Sequence, residues 1–166
     1  MGRARRYPGR DRPAPAAGRL SAGGPVRIRP FRTGDLAAVA AVWRASGLTV
    51  PYNDPAADIA FCRASAHGEV FVGESEDGRL IASAMVGHDG HRGWLYYVAV
   101  DPLQRERGLG RAIVQHAESW LQARGVRKVQ LLVRAGNTAA GDFYERLGYE
   151  RSPVAVFQRW LVAPGP

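Results

Sequence analysis

The sequence predicts a mixed α/β domain, one sheet with helices on both of its faces. Three observations predict it. Strand-like and helix-like stretches follow the order β-α-α-β-β-β-α-β-α-β. "KVQLLV", which comes after a helical pattern, is nearly all apolar, as a strand covered on both faces is. "EVFVGESEDGRLIASAMVGHDG" reads as two strands around a Glu76-Asp77-Gly78 turn, a hairpin within the sheet.

The elements follow in order. Val26, Ile28 and Phe31 in "VRIRPF" suggest a first strand. In "TGDLAAVAAVWRAS", Leu36, Val39, Ala40 and Trp43 recur at helical spacing, with Thr33 as the expected N-cap. "NDPAADIAFCRAS" reads as a second helix, capped by Asp54 and opened by Pro55. The hairpin comes next, then "GWLYYVAV" as a fourth strand between Gly93 and Pro102. Residues 108 to 123 place Leu109, Ile113, Ala117, Trp120 and Leu121 on one helical face. After "KVQLLV", the short helix "TAAGDFYERL" is closed by Gly148. "VAVFQRWL" is the expected last strand, and Trp43, Trp120 and Trp160 are expected in the core.

Composition narrows the function. The chain has 166 residues, enough for one domain with a real core, and its apolar share of 46% is that of a globular protein. No run approaches the ~18 apolar residues that a membrane span needs. No apolar stretch follows the basic N-terminus, which argues against a secretory signal. The lone Cys62 excludes an internal disulfide and a cysteine-rich zinc site, and reads as a semi-buried core residue. His88 and His91 share a loop without a third ligand at metal-binding spacing, so no metal is expected. The expected compartment is the cytoplasm.

The net charge of +8 is uneven. Residues 1 to 25 carry six arginines against Asp11 alone, a net +5, which leaves +3 for the rest. They are rich in Pro, Gly, Ala and Arg and lack apolar periodicity, so we expect a disordered basic tail at 1–25 and one domain at 26–163. A domain of only +3 argues against a nucleic-acid binder.

One short stretch carries the chemistry. "AVDPLQRERGLGRAIV" ends a strand at Asp101-Pro102 and opens a helix, with Arg105, Arg107, Gly108, Gly110 and Arg111 in and beside the turn. The first N–H groups of a helix lack intrahelical partners, and the dipole adds partial positive charge there. Glycines let the backbone approach closely, so the turn suits a polyphosphate. It is not a Walker A loop, because no Gly-Lys-Ser/Thr follows, and Ile113 stands where a dinucleotide fingerprint needs its third glycine.

Arg105-x-x-Gly108-x-Gly110 after Val100-Asp101-Pro102 resembles the acetyl-CoA signature of the GNAT acetyltransferase superfamily. Some 27 residues later, "NTAAGDFYERLGY" resembles the second motif of that family. The resemblance covers residues 26 to 162. "PYNDP" and "GHDGHRG" also resemble segments of the small bacterial YpeA-like acetyltransferases. The resemblance implies a GNAT fold of about seven strands, with a splay between the fourth and fifth. It implies acetyl transfer from acetyl-CoA directly to an amine acceptor, by a monomer or homodimer. It places the pantetheine arm along Val98, Ala99 and Val100, and the pyrophosphate on the amides of Arg107, Gly108, Leu109 and Gly110. Asn137 matches a position that contacts the cofactor arm. Tyr144 matches the tyrosine that protonates the departing thiolate.

A phenol of pKa ~10 can protonate a thiolate of similar basicity, so that role is chemically sound. Many relatives carry a basic glutamate near the position of Trp94, but "WLYYVAV" holds no acid. Asp54, Glu74, His88, Asp89 and His91 are the candidates elsewhere. A missing base favours acceptors that are partly neutral already. Near pH 7.4 an α-amine of pKa ~8 is about 20% neutral, while a lysine side chain is about 0.1% neutral. The alternatives at this point are a catalytically silent acyl-CoA-binding module and a basic nucleic-acid binder.

Overall fold

The computed structural model describes residues 26–162. The expected tail, residues 1–25, and residue 163 lie outside the described residues. The elements are β1 (Arg27–Pro30), α1 (Leu36–Ala45), α2 (Pro55–Ala64), β2 (Gly68–Glu74), β3 (Leu80–His88), β4 (Gly93–Val100), α3 (Leu109–Gln122), β5 (Val129–Gln130) and α4 (Thr138–Arg146). The sheet runs β1-β2-β3-β4-β5. Its first four strands are antiparallel neighbours, and β5 joins β4 in parallel.

Period-2 alternation divides the core between the two faces of the sheet. Val70 and Val72 of β2 face α1 and α2, where they meet Val39, Trp43 and Ile59. Phe71, between them, faces α3 and joins Ile113, Val114, Ala117 and Leu121. Helices therefore cover both faces, as the element order predicts. Asp54 caps α2 as expected, accepting the N–H of Ala56 at 2.9 Å.

Some elements differ from the reading. The sheet has five strands among the described residues, and β5 is only Val129–Gln130. Residues 154–161 form no strand. Their alternation has no partner edge and no covering layer, and Val154, Val156, Phe157 and Leu161 stay exposed. Trp160 is 56% exposed and meets Tyr52 edge-on, so it is not a core residue. Thr33 opens a 3-10 turn rather than capping α1, and Asp35 accepts the Arg32 N–H at 2.7 Å.

Trp43 anchors the α1 face. It is fully buried, donates Nε1–H to Ser83 Oγ at 2.7 Å and stacks on Tyr97 with centroids 3.9 Å apart. Trp43→Ala opens a cavity and removes the donor to the buried Ser83 hydroxyl, which keeps only its own bond to the Tyr97 carbonyl at 3.3 Å. We expect it to cost about 3–5 kcal/mol, read as a lower urea midpoint. A loss under about 1 kcal/mol would show that the site collapses freely.

Candidate active site

The turn after β4 is built by local rules. Asp101 starts it, accepting the Leu103 N–H on its side chain at 2.9 Å and the Gln104 N–H on its carbonyl at 2.8 Å. Glu106 (φ 64°) and Gly108 (φ 76°) then adopt left-handed conformations and reverse the chain. Glycine does so without penalty, whereas Glu106 carries strain of about 1–2 kcal/mol. Gly108 is the N-cap of α3, and the first helical bond runs from Ala112 N to Gly108 O at 3.0 Å. The first-turn N–H groups, from Leu109 onward, therefore have no helical acceptor and sit at the positive end of the dipole. Arg105, Arg107 and Arg111, exposed, lie in the same turn and first helical turn, and none enters an ion pair among the described residues.

Gly110 has a packing role that the motif does not reveal. A Cβ there would meet the Phe143 ring at 3.0 Å, so any larger residue would have to push that ring aside by a few tenths of an ångström. A cleft of about 290 Å³ flanks the same turn between Asp77, Arg79, Gln104, Arg107 and Leu109, but its lining includes no residue of β4 or β5.

Beside the turn, β4 loses its neighbour. Gly93 pairs with Val129 and Trp94 with Gln130, and no further β4–β5 pair forms. From Leu95 to Val100 the strand keeps its β3 partner but has none on the other side. Asp101 N bonds Ile81 O at 2.8 Å, and strand alternation then turns the amides of Val100 and Val98 toward the gap. Val98 and Val100 pack on the α3 side, and Ala99 is buried on the α1 side.

The β4–β3 ladder contains a bulge here. Ser83 faces Ala99 and Met85 faces Tyr96, so Tyr97 and Val98 together oppose Ala84. Tyr97 has φ 47°. The bulge changes the alternation: Leu95 lies on the α3 face, and Tyr97 packs on the α1 face beside the outward Tyr96.

Tyr144 is half-buried on α4, in the cluster around α3. Its ring meets Phe143 at 4.9 Å and Tyr149 at 5.4 Å, both edge-on. The Tyr149 hydroxyl is committed, donating to Glu118 Oε1 at 2.6 Å. The Tyr144 hydroxyl has no hydrogen-bond partner among the described residues, and burial alone pushes it up to about 12. It therefore stays protonated through the physiological range. Asn137 is the N-cap of α4: its Oδ1 accepts the Ala140 N–H at 3.1 Å, leaving its amide N–H groups as donors.

The candidate bases are engaged elsewhere. Glu74 binds Arg29 at 2.6 Å and Arg27 at 3.0 Å, and these contacts lower its pKa. Asp89 accepts the backbone N–H groups of Arg92 and His91 and the Trp94 indole N–H, which hold it far below the usual carboxylate range. His88 lies 3.3 Å from His67, His91 is exposed, and Asp54 is the α2 cap. The structure brings together a group that the sequence reading missed. Tyr97 donates its hydroxyl to Asp58 Oδ2 at 2.5 Å and accepts from Asn53 Nδ2 at 2.8 Å. The available signal was Tyr96-Tyr97, two aromatics in succession where a one-faced strand alternates. Cys62 is a half-buried thiol pushed up to about 11 by burial, which makes it a poor nucleophile.

Comparison with known proteins gives a consistent set of likenesses. The model of the acetyltransferase (GNAT) family matches residues 38–149. An acetyltransferase of Pectobacterium atrosepticum is 40% identical over 138 residues, 82% of this chain and 96% of that protein. The ribosomal-protein-S18-alanine N-acetyltransferase of Escherichia coli superposes with a TM-score of 0.65 at 28% identity, over 76% of this chain and 79% of that one. The aminoglycoside acetyltransferase AAC(6')-Iy, solved with a bisubstrate analogue built on CoA, shares the fold with a TM-score of 0.72 at 19% identity, over 84% and 100%. Among the described residues, no helix is long and apolar enough to cross a membrane.

Proposed function

The chain belongs to the acetyltransferase (GNAT) family, and from that premise we propose that it moves the acetyl group of acetyl-CoA directly onto a primary amine. The observation that carries the reading is the gap beside β4. The β4 backbone at Val98 and Val100, without a strand partner on this side and with the Val100 carbonyl accepting only from Ser46 Oγ at 3.3 Å among the described residues, runs from the free amides of α3 toward the α4 cluster that holds Tyr144. That is a strand-shaped site for an amide-bearing chain with an anionic head, which is what acetyl-CoA offers.

The parts divide the work. The first-turn amides of α3, with Arg105, Arg107 and Arg111, take the pyrophosphate. Val98, Ala99 and Val100 pair the pantetheine arm as a missing strand would, and Asn137 offers its free amide to that arm. The amine attacks the thioester carbonyl, and the acetyl C–S bond breaks. The electron pair leaves on sulfur, which takes the proton of Tyr144. Burial keeps this phenol protonated, so the proton is in place, while making it a weaker acid than a free phenol. The unit is the domain at 26–163.

The acceptors are α-amines of peptides, free amino acids or small amines. A screen of these three classes with acetyl-CoA, read by thiol release and by mass of the product, tests the reading. We expect one class to give an acetylated amine. Binding of acetyl-CoA without acetylation of any amine would support the silent-module alternative.

A further inference from the structure

We propose that Tyr97 and Asp58 form the proton exit for the acceptor amine: the amine hands its proton to the Tyr97 hydroxyl as that hydroxyl passes its own to Asp58. The inference rests on the transfer reading above and supplies the base that the fourth strand lacks.

Placement comes first. Tyr144 packs in the cluster around α3, and Tyr97 packs in the cluster under α1 and α2. The two phenols lie on opposite faces of the sheet, on either side of the β4 gap. A thioester carbonyl in that gap would have its leaving sulfur served from one face. We place the acceptor on the other face, where the loop before α2 brings Asn53 to the Tyr97 hydroxyl. The bulge sets Tyr97 beside Val98 in the strand that borders the gap, and its hydroxyl reaches Asn53 and Asp58 on the α2 side.

The chemistry follows from the bonds. Tyr97 is held at both ends, its ring stacked on Trp43 and its oxygen between Asp58 and Asn53. Burial, with the Asp58 contact second, pushes it up to about 12, so it is neutral and cannot act alone as a base. The ionisable groups acting on it are Asp58 from α2 and Tyr52 from the preceding loop. A neutral phenol that donates to a carboxylate can still relay. Two protons leave the ammonium: before attack one N–H bond breaks and an O–H bond forms at Tyr97, and after the acetyl C–N bond forms the second proton passes through water to the Tyr144 phenolate, which has given its own to sulfur. The original Tyr97 proton moves to Asp58 Oδ2, and half-exposed Asp58 then releases it to water. The Asn53 amide donates to the same oxygen and holds its lone pairs in place. The carboxylate also attracts a protonated amine, so the bound form is the ammonium, the abundant species at neutral pH.

The test is a pH profile of kcat/KM, with the best α-amine acceptor of the screen, beginning with an unblocked alanyl peptide. Between about pH 6 and 8 the native enzyme should be nearly flat, because it binds the ammonium and deprotonates it on the protein. Asp58→Asn and Tyr97→Phe keep the local packing and remove the relay. Their kcat/KM should climb about tenfold per pH unit up to the pKa of the amine, about 8. They should fall about tenfold below native at pH 7 and converge with it near pH 8. The double variant should lose no more than either single one, and affinity for acetyl-CoA should not change. A variant with a lower melting temperature that still shows the steep profile supports the relay, since a packing defect does not bend a pH profile. The same fold loss at every pH, or a native profile that is itself steep, overturns it. Failure of the transfer reading looks different: native protein releases no thiol with any amine.

Discussion

Tyr144→Phe is expected to lower kcat by roughly 10- to 1000-fold, the usual scale of a lost general acid. Affinity for acetyl-CoA should barely change, because the proton moves only as the C–S bond breaks. The structure sharpens the expectation. The Tyr144 hydroxyl has no partner among the described residues, so its removal leaves no orphaned group. The ring remains packed against Phe143 and Tyr149. Melting temperature should therefore stay within a few degrees. Steady-state kinetics with calorimetry separate the outcomes. An intact kcat with weaker binding would make Tyr144 a wall of the site, and loss of folding would make it a core aromatic.

Gly108→Val should abolish measurable binding of acetyl-CoA. At φ 76° a β-branched residue costs about 1–2 kcal/mol or more, and the chain relieves this by shifting the start of α3. The first-turn amides then point elsewhere, and the new side chain fills the space in front of them. Gly108→Asn is the sharper test, because asparagine tolerates the left-handed region and keeps the turn. It should remain folded and still bind weakly. Calorimetric affinity equal to native in either folded variant would remove this turn from the cosubstrate site.

Local signals were the legible ones. Asp54 before Pro55 names a helix start, and Gly108 names the turn that opens α3, because each depends on neighbours a few residues apart. The gap beside β4 was not legible from spacing. It depends on β5 ending after two pairs, and "KVQLLV" is as apolar as a fully paired strand. Asp58 and Tyr97 are 39 residues apart, joined only when α2 docks on the sheet. Residues 154–161 show the converse: period-2 alternation signals a strand only where a free edge receives it. Trp160 was misplaced for the same reason. The splay between the fourth and fifth strands came from family resemblance, and the structure gives it a cause in the short β4–β5 ladder.

The short ladder also links folding to metabolism. A sheet with an open seam is incomplete, and in the transfer reading proposed above the molecule that completes it belongs to the cell's supply of activated acetate. A ligand that binds only the folded form adds about 2.7 kcal/mol when present at 100 times its dissociation constant. That is a sizeable fraction of the 5–15 kcal/mol by which a typical domain stays folded. When acetyl-CoA is scarce, this chain is left both without work and with less holding it together. Its resistance to heat and to proteases is expected to rise when acetyl-CoA is added, which melting curves with and without acetyl-CoA check.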